Sequence, residues 1–99
     1  MPRRIPQVRS NSLSWSDDTA TARTIHVGSP AWFQWLAEDT TRSFAFRGEH
    51  GNFTARREVR AGGAYWYAYR TVAGHLRKEY LGKAEELTPD VLAGVARRL

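Results

Sequence analysis

Apolar and polar positions change their spacing once along this chain, near residue 42. Before that point Trp32, Trp35 and Leu36 fall at i, i+3 and i+4, a helical stripe that Phe33 and Ala37 widen. Ser29-Pro30 opens it, with a serine suited to capping orphan N–H groups and a proline where a missing donor costs nothing. The pattern predicts a short helix from Pro30 to near Asp39. From Ser43 the period is two. Ser43–Arg47 carries Phe44 and Phe46 on one face, and Phe53–Arg60 alternates Phe53, Ala55, Arg57 and Val59 with Thr54, Arg56, Glu58 and Arg60. Ala64–Thr71 splits into Tyr65, Tyr67, Tyr69 and Thr71 against Trp66, Ala68 and Arg70, and Leu76–Gly82 follows. Glycine-containing turns join these runs, which therefore read as an antiparallel meander. A second helix starts at Thr88-Pro89-Asp90, with Val91, Leu92, Val95, Ala96 and Leu99 as its apolar stripe and Arg97 and Arg98 at its carboxyl end.

These elements predict an α+β fold: a three- to four-stranded antiparallel sheet packed on the C-terminal helix, with a short N-terminal helix. Residues 29–99 form one domain. Residues 1–28 hold isolated apolar positions (Ile5, Val8, Leu13, Trp15) without sustained period, so they read as an irregular arm, flexible or strap-like. Arg3, Arg4 and Arg9 suit such an arm to following a phosphate backbone.

Which face of the sheet the helix covers decides what remains outside. If it covers Tyr65, Tyr67 and Tyr69, then Trp66 and Arg70 point outward, joined by Arg56, Arg60, Lys78 and Tyr80. Arg57 and Arg77 fit either register, and a slip of one residue exchanges the whole set. The alternative is a sandwiched sheet, with Trp66 and Tyr80 beneath the N-terminal helix.

Charge sharpens this. The 99-residue chain carries a formal net charge of +5 and a sequence pI near 10.2. Between Ser43 and Lys83 eight Lys and Arg face three Glu, so the excess lies in the predicted sheet. Guanidinium and ammonium groups beside planar rings suit nucleic acid: Arg pairs with guanine or phosphate, Lys with phosphate, and rings with sugars or bases.

Other chemistries find little footing. The absence of cysteine excludes disulfides, thiolate zinc sites and thiol nucleophiles. His26, His50 and His75 sit in separate predicted loops without a second ligand at metal spacing, and no glycine-rich strand-to-helix loop is present. No enzyme activity, cofactor or metal is expected. No apolar run approaches the roughly 20 residues of a membrane helix, and the N-terminus lacks the apolar centre of a secretory signal, so a cytoplasmic, nucleoid-associated protein without a membrane partner is expected.

The string Phe53-Thr54-Ala55-Arg56-Arg57-Glu58, Gly62-Gly63, Tyr65–Arg70, Leu76–Lys83 and Leu87-Thr88 resembles an N-terminal module of some bacterial LuxR-type transcriptional regulators. Pro30–Leu36 looks like that module's opening helix, and the likeness spans roughly residues 29–95. The order of aromatic strand, basic strand and helix is also similar to three-stranded-sheet DNA-binding domains, such as the arm-site-binding domain of tyrosine integrases and the ethylene-response-factor domain. That resemblance implies a sheet face set in the major groove, with Arg56, Arg60, Trp66, Arg70, Lys78 and Tyr80 at DNA. The resulting expectation is a small, sequence-specific, double-stranded DNA-binding protein concerned with transcription or mobile elements. A protein-interaction adaptor docking an acidic partner is the alternative, and single-stranded nucleic acid a third outcome.

Overall fold

The computed structural model describes residues 5–9, 11–16, 22–38, 41–49 and 51–99. Expectations about Arg3, Arg4, Asp39 and His50 lie outside them. Among the described residues seven strands, β1 (Gln7–Arg9), β2 (Ser12–Ser16), β3 (Ala22–His26), β4 (Ser43–Gly48), β5 (Gly51–Arg60), β6 (Gly63–Val72) and β7 (His75–Gly82), make one sheet. Their order is β3-β2-β1-β4-β5-β6-β7. All neighbours are antiparallel except β1 and β4, which run parallel with Val8 opposite Phe46. The helices are α1 (Pro30–Ala37) and α2 (Pro89–Arg98), with a 3-10 turn at Ala84–Glu86 before α2.

This overturns the expected three- to four-stranded sheet. The meander β4–β7 is the antiparallel part of a mixed, seven-stranded sheet, and residues 7–26, expected as an irregular arm, supply three of its strands. Three of the arm's isolated apolar residues, Val8, Leu13 and Trp15, are inward positions on short strands, whereas Ile5 precedes β1 and is exposed. Val8 and Leu13 are buried opposite each other, and Trp15 and Ile25 pack against the same core. Ser12-Leu13-Ser14-Trp15-Ser16 alternates strictly, but over only five residues.

Both helices pack on one face. The Ser29 side chain accepts a hydrogen bond from the Trp32 amide at 3.3 Å, and Pro30 occupies the first turn of α1. Trp32, Trp35 and Leu36 then face the sheet. The Trp32 ring lies 5.4 Å from Phe44, whose ring lies 5.3 Å from Trp66, so an aromatic chain runs from helix to central strand. The Trp32 indole N–H donates to the Leu87 carbonyl at 2.7 Å, which satisfies a polar group in a dry core. Thr88 caps α2 through the Val91 amide, and Leu92, Val95 and Ala96 complete the core. A Cβ at Gly51 would stand 2.8 Å from both the Ala96 carbonyl oxygen and an Arg70 nitrogen, so glycine permits the close approach of α2 to the β4–β5 hairpin. No helix among the described residues is long and apolar enough to cross a membrane.

Candidate nucleic-acid interface

Because α1 and α2 lie on the face of Phe44, Phe53, Ala55, Trp66 and Ala68, the opposite face has no helix over it among the described residues. Register fixes who stands there. One row across the strands is Gln7, Ala45, Thr54, Tyr69 and Lys78; the next is Ser43, Arg56, Tyr67 and Tyr80. Arg9 pairs with Arg47 on one flank, while Glu58 pairs with Tyr65 and Arg60 with Gly63 on the other. Five cations thus share this face with four tyrosines and, among the described strand residues, one carboxylate.

The predicted site divides between the two faces. Arg56, Arg60, Lys78 and Tyr80 stand on the open face, where the sequence put them. Trp66 does not: it is 1% exposed and belongs to the core. Arg70 shares its side and reaches the Leu99 carbonyl at 3.3 Å. Arg57 alternates to the helix side as well and donates to the Glu38 carbonyl at 3.4 Å. Arg77, opposite Arg70 in the ladder, falls on that side too. The supposition that the helix covers Tyr65, Tyr67 and Tyr69 is inverted, and these three rings are the site residues that sequence reasoning missed. A signal was available: Tyr65, Tyr67 and Tyr69 bring three hydroxyls in need of polar partners, whereas Trp66 and Ala68 bring a single indole N–H.

Rings and cations interleave. Lys78 Nζ sits 4.3 Å from the centroid of Tyr67 and 5.5 Å from that of Tyr69. The Arg56 guanidinium is 5.8 Å from Tyr69, Arg60 is 6.0 Å from Tyr67, and Lys83 is 6.0 Å from Tyr65. Such contacts hold long cationic side chains close to the surface, which lowers the ordering cost of binding. Tyr80 meets Tyr67 edge-on at 5.4 Å and remains 49% exposed. Beside this cluster lies a shallow depression of about 490 Å³ lined by Arg47, Asn52, Thr54, Arg56, Tyr69 and Leu76, among others.

Glu58 ties the cluster together. Its carboxylate accepts from the Tyr69 hydroxyl, from Arg60 at 2.5 Å and from Lys78 at 3.2 Å. The Tyr69 hydrogen bond, helped by Arg60 and Lys78 against partial desolvation, holds the Glu58 carboxyl down to about 2. Lys78 is held above its ordinary range, first by Tyr69 and then by Glu58. A carboxyl depressed in the folded state contributes stability above its unfolded value near 4.5, and that contribution disappears as pH falls toward 2. Glu58→Gln should therefore flatten the acid limb of stability between about pH 4.5 and 2, leaving its shape above pH 5 unchanged. Urea midpoints of parent and variant across that range check it.

A profile of the family described as "Domain of unknown function (DUF6788)" matches residues 37–92. That span holds β4–β7 and with them Arg47, Arg56, Glu58, Arg60, Lys78 and the four tyrosines. No curated protein and no solved structure matches the chain. None of these findings links it to LuxR-type regulators or to integrase arm-binding domains.

Proposed function

The chain belongs to this DUF6788 family, and from that premise we propose that it is a nucleic-acid-binding module that lays a single strand across its open sheet face. The observation that carries the reading is the interleaving of Tyr65, Tyr67, Tyr69 and Tyr80 with Arg56, Arg60 and Lys78 on a face with no helix over it among the described residues. Cations at the sides take phosphates, and phenol rings offer flat apolar platforms to bases.

Width favours single strands over duplex. Seven strands about 4.8 Å apart make a surface about 29 Å across, whereas the major groove is roughly 12 Å wide. Strand spacing points the same way. The backbone positions of Tyr67 and Tyr69, two residues apart on one strand, are about 6.8 Å apart, twice the roughly 3.4 Å rise between stacked bases. Bases meeting both rings must already be unstacked from each other, as in an extended single strand.

Duplex binding retains one specific support. The β6–β7 hairpin alone is a two-stranded ribbon of groove width, and Leu76 at its end is 68% exposed. Competition separates the two. Labelled oligo(dT) bound at low salt should be displaced by unlabelled single strands of DNA or RNA at concentrations at least tenfold below those needed for duplex. Its log affinity should fall with log salt at about −0.7 per phosphate neutralised. Duplex competing equally well would transfer the site to the hairpin. No binding to any nucleic acid at low salt would leave the docking of an acidic protein partner as the reading for this face.

A further inference from the structure

A surface that gathers cations for a polyanion has no evident use for a carboxylate in their midst, yet Glu58 stands there. Its oxygens take the Tyr69 hydroxyl, Arg60 at 2.5 Å and Lys78 at 3.2 Å, three donors from three adjacent strands converging on one anion. Two cationic N–H donors and one O–H are also what a phosphodiester's free oxygens accept in nucleic-acid complexes. The side chain is 22% exposed rather than sealed, and those of its partners Arg60 and Lys78 are 56% and 40% exposed. The carboxylate therefore has room to leave its donors.

We infer that Glu58 occupies, in the free protein, the place of a backbone phosphate of the bound strand, and that binding exchanges its carboxylate for that phosphate at Arg60, Lys78 and Tyr69. The inference rests on the single-strand reading above and adds a phosphate subsite to it. Two physical consequences follow from the exchange. In the free state the resident anion keeps the three donors aimed at one point, so little side-chain order remains to be imposed when phosphate arrives. The same anion repels a polyanion, so a strand must bring enough other contacts to displace it, and short or isolated phosphates are rejected. No covalent step is involved. A salt bridge at the surface is worth little to folding in general, which leaves the conformation of this one free to respond to ligand.

Glu58→Gln keeps the side chain's shape and removes its charge. Oligo(dT) titrated into parent and variant at several salt concentrations provides the test. The variant should bind about threefold to tenfold tighter at low salt, with a log–log slope steeper by about 0.7, because in the parent the freed Glu58 carboxylate takes up a counterion as the phosphate releases one. Equal or weaker binding by Glu58→Gln, with the parent binding normally, overturns the exchange and leaves the sheet-face reading standing. If neither protein binds, the reading falls and the exchange falls with it. Binding by the variant alone supports the exchange in its strongest form. A second readout needs no variant: the Glu58 carboxyl carbon resonance in the parent should move toward that of a solvated glutamate as oligo(dT) is added. A resonance unmoved at saturation overturns the exchange.

Discussion

Trp66→Ala should destabilise the fold by about 3–5 kcal/mol, the loss expected for truncating a large, fully buried aromatic side chain. The indole is 1% exposed and lies 5.3 Å from the Phe44 ring, which in turn meets Trp32 and Trp35 of α1. Removing it opens a cavity at the joint between helix and central strand, where neither can collapse without breaking the sheet register. Domains of this size unfold with about 5–15 kcal/mol, so the variant sits near the edge of folding. Its melting temperature should fall by roughly 15–30 °C. The same substitution on a solvated binding face would change stability by only about 0.5 kcal/mol. Thermal and urea unfolding followed by far-ultraviolet circular dichroism separate these outcomes. A Trp66→Ala protein that melts with the parent would mean the two faces of the sheet are exchanged and the site described above is the core.

That dependence on one alternation explains what the sequence shows of this molecule and what it conceals. The helix starts at Ser29-Pro30 and Thr88-Pro89 are local chemistry, a hydroxyl beside a free amide followed by a ring that needs no donor, and both are found where the pattern puts them. The strands between Ser43 and Gly82 are long enough for period two to be unmistakable. Sheet width is not local. β1 is three residues long and β2 and β3 five each, and Val8 or Leu13 reads as an isolated apolar residue until its neighbour across the ladder is known. The parallel pairing of β1 with β4 joins residues nearly forty positions apart, and nothing in either segment announces it.

Face choice failed for a different reason. Trp66 and Arg70 share one side of β6 and Tyr65, Tyr67 and Tyr69 the other, so each side carries rings and either suits a core or a ligand. The decision rests on volume and polarity together. Trp66 beside Ala68 makes a large-and-small pair that an aromatic helix such as α1 can interdigitate, while three phenols in a row require three hydroxyl partners. Glu58 supplies one of them on β5, and solvent is the natural source for the rest. Arg70 follows Trp66 inward because alternation gives it no choice, and it ends on the Leu99 carbonyl at the close of α2. Arg56, Arg60, Lys78 and Tyr80 reach the open face through the same alternation. Arg57 on β5 and Arg77 on β7, which fit either register in the sequence, fall with Trp66 and Arg70 on the helix side, an assignment that the Thr54–Tyr69 and Tyr69–Lys78 pairs fix.

Tyr67→Ala should weaken oligo(dT) binding about 5- to 150-fold, equivalent to the roughly 1–3 kcal/mol of one base–ring stack, while leaving the salt slope unchanged. Arg56→Ala should do the opposite: a smaller loss at low salt that shrinks as salt rises, with the slope shallower by about 0.7. The contrast arises because stacking is a contact between uncharged planes, whereas a guanidinium acts by displacing counterions from phosphate. Tyr67 is the ring to choose, since it stands at the crossing of β5, β6 and β7, opposite Arg56 on one side and Tyr80 on the other. Tyr67→Phe keeps the plane and loses only the hydroxyl, so it should bind as the parent does. Tyr69→Phe, in contrast, removes the donor to Glu58 and should change affinity with its ring intact. Anisotropy titrations at three salt concentrations give all four results. If Tyr67→Ala and Tyr67→Phe lose affinity alike, or if Tyr67→Ala binds as the parent does, the ring is not a base platform and the single-strand reading loses its support.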